Sequence, residues 1–583
     1  MRRVKTGACR TAPLLLLALA LVGWVTLAHG PAGSPATRSV HAVAQSLPSL
    51  TVAEREASYL GSVAADARVS FTLSLPERDG AGIEAVLAAG GGLTPDQWAS
   101  RYGPAPSLVD RVRAQLAGAR LSSRWAPGGS LLTVSGSAKS VGRFLHVAIG
   151  RFALGDRVRF YAPLSRPTLP ASVAGDVAAI VGPDDYPAGV SAIPSPEYGV
   201  TPKQMTNFYD LGPLRSAGLD GSGITVLFPE GAMPDVSTLT AFAAKFKLPP
   251  FDVTVRTNPG RWGAPATPSD SWYANYAGEV SLDLEIVHGL APRAREVVYV
   301  GSGQPSGTLS LLQAMISAYP GAILSASTNI GNCEQSPDAR ATAVSASAIF
   351  AQAAAEGTTI FFASGDRGAF ECIFDQEPST AGDISVYLGA DSPDVTAVGG
   401  TTSFLATNGA YYKEAAWGEP LETWGSGGGI STIFQQPSWQ VAPGLGAASL
   451  GGRGVPDVAC NGDIVSGWDV FSPPDPSQGE KGPQEYSSGG TSAATPCWAA
   501  ITALIDEDLT QQGLPKVGFA NPALYYFSRD PAGLPAMAFH QVTEGSNLHY
   551  EATPGWNAAT GLGTPDAAHL ADDFEWYDRG HPA

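Results

Sequence analysis

Four short apolar runs constrain this 583-residue chain more than any other feature. GITVLF (223–228), REVVYV (295–300), GAILSAS (321–327) and TTIFFAS (358–364) are separated by stretches long enough to hold helices. Such uninterrupted runs read as strands buried on both faces, and the intervening helices let each strand run parallel to its neighbours. The pattern predicts an α/β fold, a parallel sheet wrapped by helices. In folds of that kind, functional groups gather at the carboxyl ends of the strands and on the loops beyond them.

The chain before residue 201 is built differently. Arg2, Arg3, Lys5 and Arg10 precede the apolar run APLLLLALALVGWVTLA, with small residues at Ala28 and Gly30, so residues 1–30 read as an export signal. The run is short for a membrane span, with an uncleaved anchor as the alternative. Residues 31–48 are rich in Ala, Ser and Pro and read as a linker. Over 49–183, VSFTLSL alternates like a strand, LTPDQWASRYG opens like a capped helix, and SLLTVSGSAKSVGRFLHVAIGRF gives strand, turn and helix. A compact α+β unit is expected there. DDYPAGVSAIPSPEYG (184–199) has no periodicity and several Pro and Gly residues, the mark of an exposed connector. The parallel-sheet unit then occupies 201–583.

Net charge is −18, and 41 of the 53 acidic residues lie beyond residue 190. So acidic a surface repels nucleic acid and anionic membranes, which excludes both as partners once the signal is gone. It sheds charge as pH falls, which suits an acidic milieu. Cys9 leaves with the signal, and the four remaining cysteines of an exported chain allow two disulfides in three connectivities. Cys333 and Cys372 each follow the carboxyl end of an apolar strand, so they are expected to pair. Cys460 and Cys497 form the other candidate pair.

Three stretches carry candidate chemistry. EYSSGGTSAATPCWAA (485–500) is a glycine-rich turn entering an Ala-rich helix, with Ser492 at the hinge. Ser492 is there either a helix cap or a nucleophile, and helix amides beyond it would point at a nearby anion. AGEVSLDLEIVHGLAP (277–292) places Glu279 and Asp283 four residues apart, on one face of a helix and among apolar residues. Two carboxyls that close resist double ionisation and titrate as a pair. His288 is nine residues beyond Glu279, about half a turn round the helix, and points elsewhere. In FFASGDRG (361–368), Asp366 follows an apolar strand, where a parallel sheet displays functional groups but where turn aspartates are also common. Glu230, at the end of GITVLFPEG, is read as a bystander. WGSGGGIST (424–432) offers backbone for an extended peptide, or is simply a flexible loop. VPDVA (455–459) is expected to support the sheet.

Taken in order, GEVSLDLE, ASGDRG, WGSGGGIS, VPDVA, SSGGTSAATP and GWNAATGLG resemble the sedolisin family of serine-carboxyl peptidases. LTPDQWASRYGP resembles the activation propeptide of that family. The resemblance implies a subtilisin-like α/β fold preceded by a smaller α+β propeptide over 49–183, with 184–200 as a processing linker. It also implies a secreted, self-activating, acid-acting endopeptidase on protein or peptide substrates, with its own propeptide as intramolecular inhibitor. Ser492 would be the nucleophile, Glu279 the general base, Asp283 the residue that orients Glu279, and Asp366 part of the oxyanion hole. The competing readings are a histidine-based subtilisin-like peptidase using His288 and a catalytically silent binding protein on the same fold. SASTNIGNCE (325–334) departs from the family by carrying Ile330 before Gly331. The family's calcium site near the C-terminus would use positions occupied here by Gln541 and Asn557. Both are neutral, so a weak or absent Ca²⁺ site is expected.

Overall fold

Each of the four apolar runs forms a strand: Thr225–Glu230, Arg295–Val300, Ile323–Ala326 and Thr359–Ala363. The computed structural model describes residues 58–580, apart from 155–157, 166, 185–193, 196–198, 271–272, 329, 332, 337, 373–382, 420–422, 442–449, 476–479, 530–532 and 536. The expected signal and linker lie outside the described residues, as does most of the connector. All described residues belong to one unit that spans Val40–Ala583.

The four strands lie in an eight-stranded sheet. Thr225–Glu230 is central, with Arg295–Val300 and then Val253–Thr257 on one side. On the other side come Ile323–Ala326, Thr359–Ala363 and Thr396–Leu405. These pairings are parallel, as is that of Val458–Asn461 with Thr396–Leu405, and Tyr411–Ala416 closes the edge antiparallel. Alternate residues serve opposite faces. Val226 and Phe228 join Val298, Val300 and Phe361 in one core, packed against the helices Tyr273–Leu290 and Thr491–Gln511. Leu227 joins Val297, Leu324 and Phe362 in a second core, against Pro305–Ala318 and Ala339–Ala355. Burial of both faces is why the strands read as continuous apolar runs. The fold is subtilisin-like α/β, as the sequence led one to expect.

Residues 58–181 build their own three-stranded and four-stranded sheets with short helices. LTPDQWASR opens as anticipated: Thr94 accepts the Gln97 amide while Gln97 accepts the Thr94 amide, a capping box before Pro95–Arg101. This region packs on the sheet face opposite the Thr491–Gln511 helix. Ile83, Leu87, Trp98 and Tyr102 bury against Ala351, Ala354, Ala355 and Phe519. Gly91 approaches so closely that a Cβ would stand 2.5 Å from the Ala354 carbonyl oxygen. The Leu93 amide donates to Ala355 O, and the Thr133 and Ser310 hydroxyls meet at 2.7 Å.

Both expected disulfides are present, Cys333–Cys372 and Cys460–Cys497. Among the described residues, no helix is long and apolar enough to cross a membrane.

Candidate active site

The helix Tyr273–Leu290 is buried almost all round, so its polar side chains face protein rather than water. Glu279 and Asp283 are 2% and 0% exposed, which forces their charge to be handled inside the protein. Burial, then the neighbouring Asp283, pushes the Glu279 carboxyl well above the usual carboxylate range. Neither Glu279 oxygen completes a hydrogen bond of normal geometry, and the group that stabilises its anion is the Ser492 hydroxyl. Such contacts are often loose before substrate arrives.

Asp283 is raised by burial first and by the Glu230 carboxyl second. Glu230 is itself raised by burial and then by the charge of Glu279, while its hydrogen bond with Asp283 opposes that rise. Two carboxyls can hydrogen-bond only if one proton lies between them. Glu230, set aside as a bystander in the sequence, therefore completes a row of three buried carboxyls. The signal was available: it is an acid at the carboxyl end of the central strand Thr225–Glu230.

Ser327, one residue past Ile323–Ala326, links this row to the serine. Its hydroxyl lies 2.9 Å from Asp283 Oδ1 and 3.2 Å from the Ser492 carbonyl oxygen. One hydroxyl proton cannot serve both acceptors fully, so a proton on Asp283 is what lets both bonds form. Ile330, the departure noted in the sequence, is buried in the core beside Val386 and Leu388.

Ser492 is the second residue of the helix Thr491–Gln511 and 6% exposed. Gly490 caps that helix at φ 95°, a conformation only glycine holds without strain, and a Cβ there would stand 3.0 Å from Asp366 Oδ2. Asp366 Oδ1 accepts the Thr491 amide at 2.7 Å and the Thr491 hydroxyl at 2.9 Å. The other Asp366 oxygen is thereby left beside Gly490 and the serine turn. Burial raises the Asp366 pKa, against the lowering effects of the two Thr491 bonds and of Arg367. Glu371 lies beneath, where it accepts the Arg367 amide, and the Arg367 guanidinium stacks on Trp424 at 3.5 Å. The half-buried Tyr387 phenol, raised by burial and then by Glu371, Asp366 and Glu279, borders the same cluster, and no sequence motif announced it.

His288 is elsewhere. Its ring stacks on Phe251 at 3.7 Å, Nε2 lies 2.7 Å from the Pro249 carbonyl oxygen, and burial lowers its pKa to about 4. The glycine loop offers a substrate less backbone than expected. The amides of Gly425, Ser426, Gly427 and Gly428 donate to Asp366, Trp417, Gly365 and Gly368, so the loop buttresses the Asp366 turn. VPDVA supports the sheet as expected, with Asp457 in a fully buried ion pair with Arg453.

The residues at the family's calcium position do not fit the ion. Gln541 is exposed, and Asn557 Oδ1 already accepts from the Ala559 and Thr560 amides and the Thr560 hydroxyl. A neutral oxygen with three donors has no lone pair to give a hard cation.

Residues 55–186 match the pro-kumamolisin activation domain, and residues 270–516 match the subtilase family. Kumamolisin from Bacillus sp. (strain MN-32) is 30% identical over 551 residues, covering 88% of this chain and 92% of the relative. Sedolisin from Pseudomonas sp. (strain 101) is 27% identical over 570 residues, covering 91% of each. The solved structure of Pseudomonas sedolisin, a serine-carboxyl proteinase complexed with two molecules of pseudo-iodotyrostatin, superposes with a TM-score of 0.54 at 26% identity. It covers 66% of this chain and 100% of its own. With an activation domain ahead of a subtilisin-like sheet, and likeness to kumamolisin along nearly its whole length, the chain belongs to the sedolisin family of serine-carboxyl peptidases.

Proposed function

We propose that the chain is a secreted, self-activating endopeptidase that works in acid. Ser492 attacks the scissile carbonyl, and Glu279 takes the Ser492 proton and returns it to the leaving amine. Asp283, tied to Glu230 and Ser327, holds Glu279 in place. Asp366, protonated on the oxygen that Thr491 does not occupy, donates to the developing oxyanion together with the amides of the serine turn. One observation carries this reading: the serine faces buried carboxyls, while the helix's histidine is committed to Phe251 and Pro249.

The chemistry requires an ionised Glu279 and a protonated Asp366 together. Raising pH strips Asp366 of its proton, and lowering pH protonates Glu279, so turnover falls on both sides of an acidic optimum. Glu279→Gln is expected to abolish casein hydrolysis while His288→Ala leaves it within a fewfold of wild type. Activity that survives the first and disappears with the second would establish the histidine mechanism instead.

A further inference from the structure

The turn that carries Asp366 is laced to the glycine loop. Arg367 bridges Gly425 in parallel, the Gly425 amide donates to Asp366 O at 3.0 Å, and the Gly368 amide donates to Gly425 O at 2.9 Å. This pairing brings the Arg367 side chain onto Trp424, the residue before Gly425. The guanidinium carbon lies 3.5 Å from the centre of the Trp424 ring. Nη1 lies 3.4 Å from both the carbonyl oxygen and the hydroxyl of Thr423. The Arg367 amide is engaged as well, donating to Glu371 Oε1 at 2.8 Å. A planar cation stacked on an indole face is held in place rather than left to wander in solvent. Its charge therefore stands at a fixed position beside the carboxyl of Asp366.

The groups around Asp366 decide what that charge does. Glu279 faces it from the helix Tyr273–Leu290, Tyr387 from the segment bridged to Cys333, and Arg367 and Glu371 from its own turn. Thr491, on the serine helix, supplies only neutral donors. Burial keeps the Glu371 carboxyl and the Tyr387 phenol protonated in acid. Two charges then act on Asp366 when the site is ready to react. The Glu279 anion favours the protonated form of Asp366, and the Arg367 cation favours its anion. We infer that Arg367 is a positioning residue that acts through Asp366, and that its fixed charge sets the alkaline edge of the enzyme's working range. A cation there draws the proton off the oxyanion donor at lower pH, so turnover ends earlier as pH rises. The charges that act on Glu279 are those of Asp283 and Asp366, so the acid edge is set separately.

The inference rests on the oxyanion role proposed for Asp366, and the test keeps the two apart. The pH–rate profile of casein hydrolysis is recorded for the activated wild type and for Arg367→Gln, Arg367→Lys and Trp424→Leu. Arg367→Gln removes the charge. The pH of half-maximal activity on the alkaline side is expected to rise by about 0.5–1, a half-exposed cation being partly screened, while the acid edge stays in place. Arg367→Lys keeps the charge and is expected to hold the alkaline edge nearer to wild type. Trp424→Leu removes the stacking face, frees the guanidinium into solvent, and is expected to move the edge the same way by less. In an Asp366→Asn background, Arg367→Gln has no proton left to shift, so the two profiles are expected to share one shape. A uniform drop in rate with both edges unmoved would mean that Arg367 only supports the loop, and would overturn the inference. The same alkaline shift in the Asp366→Asn background would also overturn it. If Arg367→Gln fails to mature, Trp424→Leu decides, and an unmoved edge there counts against the inference. All of these results leave the peptidase assignment standing. A wild type inert toward casein at every pH, or an Asp366→Ala variant as active as wild type, would instead remove the reading on which the inference depends.

Discussion

Asp366 shows how one side chain is divided between structure and chemistry. One oxygen accepts two donors from Thr491, which fixes the carboxyl against the first turn of the serine helix. The other faces the turn where charge would develop, and it donates there only while protonated. Asp366→Asn keeps a donor and no longer titrates, whereas Asp366→Ala keeps neither property. The alanine variant is expected to lose about 10²–10³ in kcat. The asparagine variant should retain more and show a flattened fall on the alkaline side of its pH–rate profile. Equal activity of Asp366→Ala and wild type would end the oxyanion assignment. Glu230→Gln removes the proton shared with Asp283, and kcat is expected to fall by at least tenfold with little change in KM. A loss confined to KM would mean that Glu230 acts on substrate binding. Ser492, Glu279, Asp283 and Asp366 were legible in the sequence because each sits in a short motif with its own spacing. Ser327 was not, and Glu230 signalled only its place at a strand end, not its partner. Each meets Asp283 across about 44 residues or more of sequence, through strand ends that only the folded sheet aligns.

At the scale of elements, the strands were legible because burial on both faces leaves an unbroken apolar run, and the serine helix because a glycine-rich turn precedes it. The support that WGSGGGIST gives the Asp366 turn was hidden in the sequence for a physical reason. Glycine leaves no side chain to reveal its partner, and only the fold shows that the loop's amides serve the Asp366 turn. The serine helix is also tied covalently to the sheet, since Cys497 lies five residues beyond Ser492 and pairs with Cys460 on the strand Val458–Asn461. Loss of that bond in Cys460→Ala/Cys497→Ala releases a loop of 37 residues in the unfolded chain. Stability is expected to fall by roughly 2–4 kcal/mol in denaturant melts, with turnover at low temperature retained. Unchanged stability would mean that packing alone holds the helix.

Across the whole molecule, buried carboxyls set the response to pH. Burial raises Glu356 to about 7 and Asp506 and Asp578 to about 6, and it also raises Glu285, Glu296 and Glu371. Each group binds its proton more tightly folded than unfolded, so its contribution is complete below the unfolded value of about 4 and is lost as pH rises through the folded value. Melting temperature is therefore expected to be higher at pH 4 than at pH 7. A Tm that rises over that interval would contradict the burial of these groups. Because the donors at Gln541 and Asn557 do not suit calcium, a chelator is expected to leave Tm unchanged, and a large drop restored by added Ca²⁺ would show otherwise. The central claim, a carboxylate in place of histidine behind Ser492, is tested most directly by the pH–rate profile of casein hydrolysis by the activated enzyme, with Ser492→Ala as the blank. The expected profile peaks on the acid side and has fallen away before neutrality; activity that rises through pH 7 would contradict it.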